Sequence, residues 1–196
     1  MVNAGYLVFA LDSRGQGANK PLKEYHYDDM VEDIHEFVKY LSDIVYTATS
    51  SRISCCKPYV FGWSDGGIVA LMAEMKYPGF WQKIAVSGVN IFPEGFIGVD
   101  DLDAMQEDID AAPPLLKMCF TEPHIQPEQL HDIGCSVLVV AGENDIVKVE
   151  HTRLIANNIP HSQLMILAGE DHDSHIKHSD KIGNILIDWF DNTTVH

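Results

Sequence analysis

The sequence predicts an α/β fold with a mostly parallel sheet and helices on both of its faces. Two observations carry this prediction. Apolar runs of strand length alternate along the chain with segments whose apolar residues recur at helical spacing. At 196 residues, the chain is long enough for one domain with a substantial core and too short for two ordinary domains. Strands separated by helices pair in parallel, and their crossover helices cover the sheet.

The predicted strands are short apolar runs bounded by turn-forming residues. They cover residues 6–11, 58–62, 84–88, 137–141 and 164–167. We expect the first of them to be buried. Glycine-rich or acidic turns follow several of these runs, and the carboxyl ends of parallel strands are where α/β proteins build their sites. The turns at 12–17, 62–67, 142–145 and 169–172 are therefore the places to look for chemistry.

Helices are predicted where apolar residues share one face. A polar stretch over 47–52 reads as a loop after the first helix, Pro78 ends the second, a third covers about 149–159, and Ser179 is the expected N-cap of the last. The apolar positions that define the first, second and last of these helices are Met30, Ile34, Phe37, Val38 and Leu41; Ile68, Leu71, Met72 and Met75; and Ile182, Ile185, Leu186 and Trp189.

The alternation of strands and helices is interrupted between residues 93 and 132. Acidic, helix-prone pieces and several prolines indicate a small helical insertion within a single domain that spans 1–196. We expect this insertion to cover the site as a lid. Its apolar residues have two interpretations, an acyl pocket or the lid's own small core. These residues are Met105, Leu115, Leu116, Met118 and Phe120.

Charge and composition exclude several classes of protein. With a formal net charge of −16, a basic nucleic-acid surface is not expected, and cationic or neutral substrates are weakly favoured over anionic ones. No apolar run is long enough for a transmembrane helix, and no signal peptide is recognisable, which predicts a cytoplasmic protein. We expect Cys55, Cys56, Cys119 and Cys135 to be reduced, and we leave a homodimer open.

The strongest motif is Gly62-Trp63-Ser64-Asp65-Gly66, between a predicted strand and a predicted helix. A serine at such a turn sits in a strained conformation that lifts its Oγ above the sheet edge, where it can act as a nucleophile. The close chain crossing requires small residues two positions before and after, here Gly62 and Gly66. The backbone N–H of Asp65 can then donate to an oxyanion at the helix start. The alternative is a glycine-rich turn with a helix-capping serine.

A nucleophilic serine needs a general base, and the base needs an acid that orients it. Along an α/β chain the expected order is serine, acid, histidine, each on a loop that follows a strand. Asp145 in Gly142-Glu143-Asn144-Asp145 and His172 in Gly169-Glu170-Asp171-His172 satisfy that order. We therefore predict Ser64, Asp145 and His172 as a catalytic triad, with the amide of Asp65 in the oxyanion hole.

Other ionisable residues compete for these roles. Glu143 lies close to Asp145 but comes earlier in its turn. His172, His175 and His178 together could suggest a metal site, but no cysteine or glutamate partner stands at ligand spacing, so we predict no metal and no cofactor. We expect the two remaining candidates, His151 and His161, on the surface.

These motifs carry a resemblance to a known family. The strings at 12–17, 62–67, 142–145 and 169–172 resemble the α/β-hydrolase superfamily, and more narrowly small bacterial-type serine hydrolases related to valacyclovir hydrolase-like and peroxidase-like esterases. The resemblance implies an α/β-hydrolase fold and a Ser64-His172-Asp145 triad that cleaves a small ester, thioester or amide through an acyl-enzyme. The implied partner is a small acyl substrate.

The beginning of the chain departs from that family's pattern. In the family, several strands and a His-Gly loop, which supplies the second oxyanion donor, precede the strand matched by residues 6–11. Another strand normally lies between it and the strand at 58–62. We expect either that the sequence is a piece of a longer protein or that these two strands meet directly in a rearranged sheet. Losing one oxyanion donor typically costs about a hundred- to a thousandfold in rate.

Three functions follow from these residues. The first is a serine hydrolase of small acyl compounds. The second is a non-catalytic or weakly active binding protein on the same scaffold, because the oxyanion loop is missing. The third is cofactor-free perhydrolase chemistry on the same triad. Asp65 also has two interpretations, a helix N-terminal acid or the binding group for a cationic substrate.

Overall fold

The computed structural model describes residues 1–49 and 57–192, and it has the predicted alternation of strands and helices. The helices are α1 (Tyr27–Thr49), α2 (Asp65–Lys76), α3 (Gln106–Ala111), α4 (Pro114–Thr121), α5 (Val149–Asn158) and α6 (Lys181–Asp191). The strands are β1 (Tyr59–Trp63), β2 (Lys83–Ser87), β3 (Ser136–Gly142) and β4 (Ser162–Leu167). Short 3-10 turns cover Val2–Ala4, Pro93–Gly95 and Pro127–Asp132.

The four strands form one parallel sheet in the order β1-β2-β3-β4. Alternate side chains point to opposite faces, as the strand period of two requires. Ile84 and Val137 lie in the cluster that α1, α2 and α5 cover, whereas Ala85 and Leu138 pack against α6. The fold is that of an α/β protein with both sheet faces buried, and all four strands end at the same carboxyl edge.

The predicted buried strand at 6–11 is wrong. This segment has no strand structure, and Leu7, Val8 and Phe9 are 74%, 48% and 48% exposed. An apolar run becomes a strand only when neighbouring backbone groups pair with its own, and among the described residues β1 pairs with β2 alone. The direct pairing that the rearranged sheet would require is therefore also wrong. Tyr6 is held by ring contacts with Tyr59.

Three smaller expectations need correction. The loop predicted from residue 47 begins later, because α1 runs to Thr49; residues 50–52, like Cys55 and Cys56, lie outside the described residues. The N-cap of α6 is Asp180, although the Ser179 hydroxyl still accepts the Lys181 N–H. Phe190 joins the buried face of α6, where Ile185 and Trp189 are only partly buried.

The region 93–132 contains the turn at Pro93–Gly95, α3, α4 and the turn at Pro127–Asp132, joined by non-helical segments. Met118 of α4 belongs to the main buried cluster, and Leu115 packs against it. None of the helices in the described part of the chain is both long and apolar enough to cross a bilayer.

Candidate active site

Ser64 occupies the sharp turn between β1 and α2. Its backbone has φ 52° and ψ −123°, a left-handed conformation that is costly for a residue with a side chain. The turn is held by the Ser64 N–H, which donates to the Ser87 carbonyl at 2.8 Å, and by the Ser64 carbonyl, which accepts from Gly67 and Ile68. Such strain is maintained only where the surroundings impose it. At a turn of this kind, a serine side chain typically projects above the sheet edge.

The glycines of this turn agree with the expected crowding at Gly62 but not at Gly66. A Cβ atom on Gly62 would lie 2.3 Å from the Gly66 carbonyl oxygen, and one on Gly67 would lie 2.2 Å from Val89. Both positions therefore require glycine. A Cβ atom on Gly66 would meet nothing within 4 Å, so the expected steric requirement there is wrong. The chains cross at Gly62 and Gly67, and Gly66 contributes its backbone to the crossing.

Asp145 and His172 meet on the loops that follow β3 and β4. Asp145 Oδ1 lies 2.7 Å from His172 Nδ1 and also accepts the Val147 N–H at 3.0 Å. The Asp145 side chain is fully buried, whereas 17% of the His172 side chain is exposed. A buried carboxylate at Nδ1 fixes the ring orientation and favours the tautomer that carries its proton on Nδ1, leaving Nε2 free to accept one. The competitor Glu143 instead accepts the Gly169 N–H.

Ser64 follows β1 and His172 follows β4, the two outer strands of the sheet, and the His172 loop reaches Trp63, the residue before Ser64. Among the described contacts, Ser64 Oγ makes no hydrogen bond with His172. Such bonds are often long in the absence of substrate and tighten when it binds.

His172 is contacted by two residues outside the predicted triad, Gly88 and Trp63. A Cβ atom on Gly88, whose φ is 61°, would lie 2.7 Å from His172 Cε1 and 3.2 Å from Asp145 Oδ2. The Trp63 indole N–H donates to the His172 carbonyl at 2.9 Å, and the two rings lie 5.4 Å apart. Trp63 is therefore a direct link between the strand-to-helix turn at Ser64 and the loop that carries His172.

Asp65 begins α2, and its carboxylate is held by contacts on one oxygen. The buried Tyr27 hydroxyl donates to Asp65 Oδ1 at 2.7 Å, and Cys119 Sγ lies 3.7 Å from the same atom. Burial, with the Asp65 charge, raises the pKa of Cys119 to about 12, so this thiol stays protonated near neutral pH and is a poor nucleophile. Cys119 brings α4 against the residue next to Ser64.

The remaining histidines divide into buried and exposed groups. His161 is exposed, as expected. His151 is not on the surface, because its ring is buried and its Nε2 accepts the Ile91 N–H at 3.0 Å. His175 is also buried, beside Ser87. The described residues contain no group of three histidine, cysteine, aspartate or glutamate side chains able to hold a metal ion.

Sequence reasoning missed the roles of Gly88 and His175. Both were visible in the sequence: Gly88 follows the apolar strand run at 84–87, and His175 stands three residues after His172. Neither pattern alone distinguishes a site residue from a turn or a surface residue. Their roles depend on β2 lying between β1 and β3, which is a property of the assembled sheet.

The parallel sheet, the strand-turn-helix that carries Ser64, and the order of serine, aspartate and histidine along the chain define the class as the α/β-hydrolase superfamily. Within it, the chain belongs to the family described as serine aminopeptidase, S33, whose model matches residues 1–119.

Curated relatives and solved structures agree with this assignment. The serine hydrolase BPHL of mouse and that of human are each 24% identical to the chain, over 94% of it and 69% of their own length. A bromoperoxidase from Bacillus anthracis is similar in fold, with a TM-score of 0.66 at 18% identity over 92% of this chain and 80% of that one. A meta-cleavage product hydrolase from Pseudomonas fluorescens has a TM-score of 0.64 at 15% identity, over 91% of this chain and 77% of that one.

Proposed function

We propose that the chain is a serine hydrolase that cleaves a small ester, thioester or amide through Ser64, His172 and Asp145. The observation that carries the proposal is the left-handed Ser64 at a strand-to-helix turn, on the same sheet edge as a 2.7 Å His172–Asp145 contact. The family, and relatives that are themselves named serine hydrolases, support the reaction class. In the proposed mechanism, Ser64 is the nucleophile, His172 is the general base and acid, and Asp145 orients His172.

In the first half of the reaction, Ser64 Oγ bonds to the substrate carbonyl carbon as its proton passes to His172 Nε2. The carbonyl electron pair moves onto oxygen, and the resulting oxyanion accepts the Asp65 N–H at the start of α2, where the helix dipole favours negative charge. The carbonyl then re-forms, and the bond to the alcohol, thiol or amine breaks. That leaving group takes the proton from His172, and the acyl group remains on Ser64.

In the second half, water replaces the leaving group. His172 Nε2 removes a proton from water as its oxygen bonds to the acyl carbon, and it then returns the proton to Ser64 Oγ as the carboxylic acid departs. Asp145 orients the His172 ring and stabilises the imidazolium that forms at each transfer. Its burial makes this interaction stronger than it would be in water.

Chemical labelling and turnover test the proposal together. We expect a fluorophosphonate probe to label the folded protein on Ser64, and a short-chain aryl ester to be hydrolysed. Ser64→Ala should abolish the labelling and lower the rate of ester hydrolysis by several orders of magnitude. Ser42→Ala is the matched control, because the Ser42 hydroxyl only bonds the Val38 carbonyl on α1, and it should leave both unchanged. Substrate binding without turnover, unaffected by Ser64→Ala, would instead favour the non-catalytic binding protein.

We further propose that Asp65 gives the site a preference for acyl groups that carry a nearby positive charge. Its carboxylate is one residue from the nucleophile and is only partly buried. Tyr27 and Cys119 both contact Oδ1, which fixes the side chain in place. The net charge of −16 also favours a cationic over an anionic substrate. In this proposal α4 and the rest of the 93–132 segment act as a lid over the substrate.

Paired substrates distinguish this role of Asp65 from that of a helix N-terminal acid. We expect Asp65→Asn to raise the KM of an amino-acid ester with a free ammonium group by about tenfold, and that of its uncharged N-acetyl counterpart by much less. An equal effect on both esters, together with a loss of stability, would show that Asp65 acts on the helix alone.

A further inference from the structure

His175 is a fully buried histidine that the proposed reaction does not use. Its Nε2 lies 2.7 Å from Ser87 Oγ, and Ser87 is fully buried as well. His175 Nδ1 is also buried and makes no hydrogen bond of normal geometry among the described residues, although the Asp171 backbone interacts with the ring. Burying a polar ring with one poorly satisfied nitrogen is costly, so its place beside the site needs an explanation.

Ser87 connects His175 to the turn between β1 and α2 that carries Ser64. It is the last residue of β2, and its carbonyl accepts the Ser64 N–H at 2.8 Å. The next residue, Gly88, lies against Cε1 and Nδ1 of the His172 ring. Ser87 therefore touches the nucleophile turn through its backbone and the histidine loop through its side chain.

The other side of the pair is the loop that carries His172. His175 follows His172 by three residues, and its carbonyl accepts the Ile182 N–H in the first turn of α6 at 3.3 Å. The loop is thus fixed at one end by β4 and at the other by the Ser87–His175 contact and α6. A second contact, from the Trp63 indole N–H to the His172 carbonyl, joins the same loop to the end of β1, next to Ser64.

The charges around His175 favour a neutral ring. Burial lowers the pKa of His175, and the charges of Asp145 and Glu170 and the approaching Asp171 carbonyl offset only part of that effect, while His172 adds to it. A neutral imidazole has one N–H and one acceptor nitrogen, so it can share a single hydrogen bond with the Ser87 hydroxyl without placing a second cation beside His172.

We propose that the Ser87–His175 pair is a positioning device that sets the distance between Ser64 and His172. It ties the histidine loop to the strand end that also holds the nucleophile turn. The proposal rests on the proposed function, since it assigns a role to the distance over which His172 takes the Ser64 proton. His175 itself touches neither substrate nor the reacting atoms, and its effect on the reaction is exerted through His172.

Such a device has a specific kinetic effect. Misplacing the base lowers the rate of both proton transfers, while the pocket that binds the substrate is unchanged, so kcat falls and KM does not. If His175 were merely structural, replacing it would lower the free energy of unfolding without changing the kcat of the folded protein. The two roles can therefore be separated by measurement.

Three variants test the pair. His175→Leu keeps the volume and removes both nitrogens, His175→Gln keeps a polar group at the position of Nε2, and Ser87→Ala removes the hydroxyl while leaving the backbone. Glu74→Gln is the control for destabilisation, because Glu74 is equally buried but accepts the Gly79 and Trp81 N–H groups away from the site. We measure kcat and KM for an ester, the rate of fluorophosphonate labelling, and the downfield proton resonance of the His172–Asp145 hydrogen bond.

We expect His175→Leu and Ser87→Ala each to lower kcat and the labelling rate by about tenfold or more with little change in KM, and to shift the downfield resonance. His175→Gln should restore most of the activity, the double variant should be no slower than either single variant, and Glu74→Gln should leave kcat unchanged. A His175→Leu or Ser87→Ala protein that is folded and keeps wild-type kcat and resonance overturns the proposal. If His175→Leu does not fold, Ser87→Ala and His175→Gln decide it.

Failure of the proposed function has a different signature. In that case wild-type protein would neither turn over ester nor react with the probe, whereas the resonance would still report whether His175 and Ser87 position His172 against Asp145. An unshifted resonance in the variants would then overturn the pair's role in placing His172.

Discussion

The carboxyl edge of the sheet and the helical layer around it bury most of their polar groups differently. In the helical layer, Glu74 accepts two backbone N–H groups and His151 accepts one. At the carboxyl edge, Asp145 Oδ2 and His175 Nδ1 are buried without a hydrogen-bond partner among the described residues. His35 Nδ1 of α1 also lacks a hydrogen bond, but it lies 3.6 Å from the Glu36 carboxylate, and its ring stacks on Tyr77. Ser64 adds left-handed backbone strain at the same edge.

For the proposed hydrolase, this difference means that stability is given up at the carboxyl edge, where the reaction would take place. Satisfied buried groups fix the arrangement of helices, and unsatisfied or strained ones are retained where a reaction needs them. The comparison predicts that substitutions at the edge change the rate more than the stability, and that substitutions in the helical layer do the reverse.

Apart from removal of the nucleophile, the largest effect at the edge is expected from Gly88→Ala. A Cβ atom there would lie 2.7 Å from Cε1 and 2.8 Å from Nδ1 of His172, so the ring must shift from its place beside Asp145. Displacing the base by about 1 Å lowers the rate by about a hundredfold, which kcat measurements on a short-chain ester would show. The left-handed backbone adds a loss of about 1 kcal/mol in stability.

Gly5→Ala separates strain from collision. Gly5 has φ 89°, and a Cβ atom there would meet nothing within 4 Å. This variant should lose a similar amount of stability in urea denaturation and none of its kcat. If the Gly88→Ala protein were as active as the Gly5→Ala protein, the expected sensitivity of the rate at the carboxyl edge would be wrong, because the edge would tolerate movement of His172.

A smaller effect, on stability alone, is expected from His151 in the helical layer. Burial and the nearby Lys148 charge lower the pKa of His151 to about 4, and Glu94 offsets part of this. The folded protein therefore holds this ring neutral, whereas the unfolded chain protonates it below about pH 6.5. The stability that it contributes is full above pH 6.5 and is lost as the pH falls towards 4, by on the order of 2 to 3 kcal/mol.

Denaturant unfolding of wild type and His151→Gln across this pH range measures that contribution. The variant keeps an acceptor for the Ile91 N–H but has no titratable ring, so its stability should fall less steeply between pH 6.5 and 4. Its kcat at neutral pH should match wild type. Parallel stability curves for the two proteins would show that His151 titrates normally.

Two apolar runs show how far the fold could be predicted from sequence. The runs at 137–141 and 6–11 have the same strand-like composition, yet the first is the buried centre of β3 and the second is exposed. The difference is that β3 has a parallel neighbour on each side, β2 and β4, and the run at 6–11 has none among the described residues. Strand pairing is a long-range property that local pattern does not contain.

The candidate site was predictable to the extent that it resides in local motifs. Ser64, Asp145 and His172 each sit in a short turn after a strand, and the structure brings them to one edge. Ser87 and His175 form a contact between residues that are 88 positions apart, which no spacing rule indicates. At Gly66 the motif instead indicates a requirement that the structure does not have, because the position expected to need a small residue has open space around it.

Trapping the acyl-enzyme is the most direct test of the account. The protein is mixed rapidly with an activated ester, quenched in acid and analysed by peptide mass spectrometry. We expect one acyl group on Ser64, and none on the Ser64→Ala protein. Hydrolysis with no acyl group on Ser64, or with the acyl group on another residue such as Cys119, would contradict it.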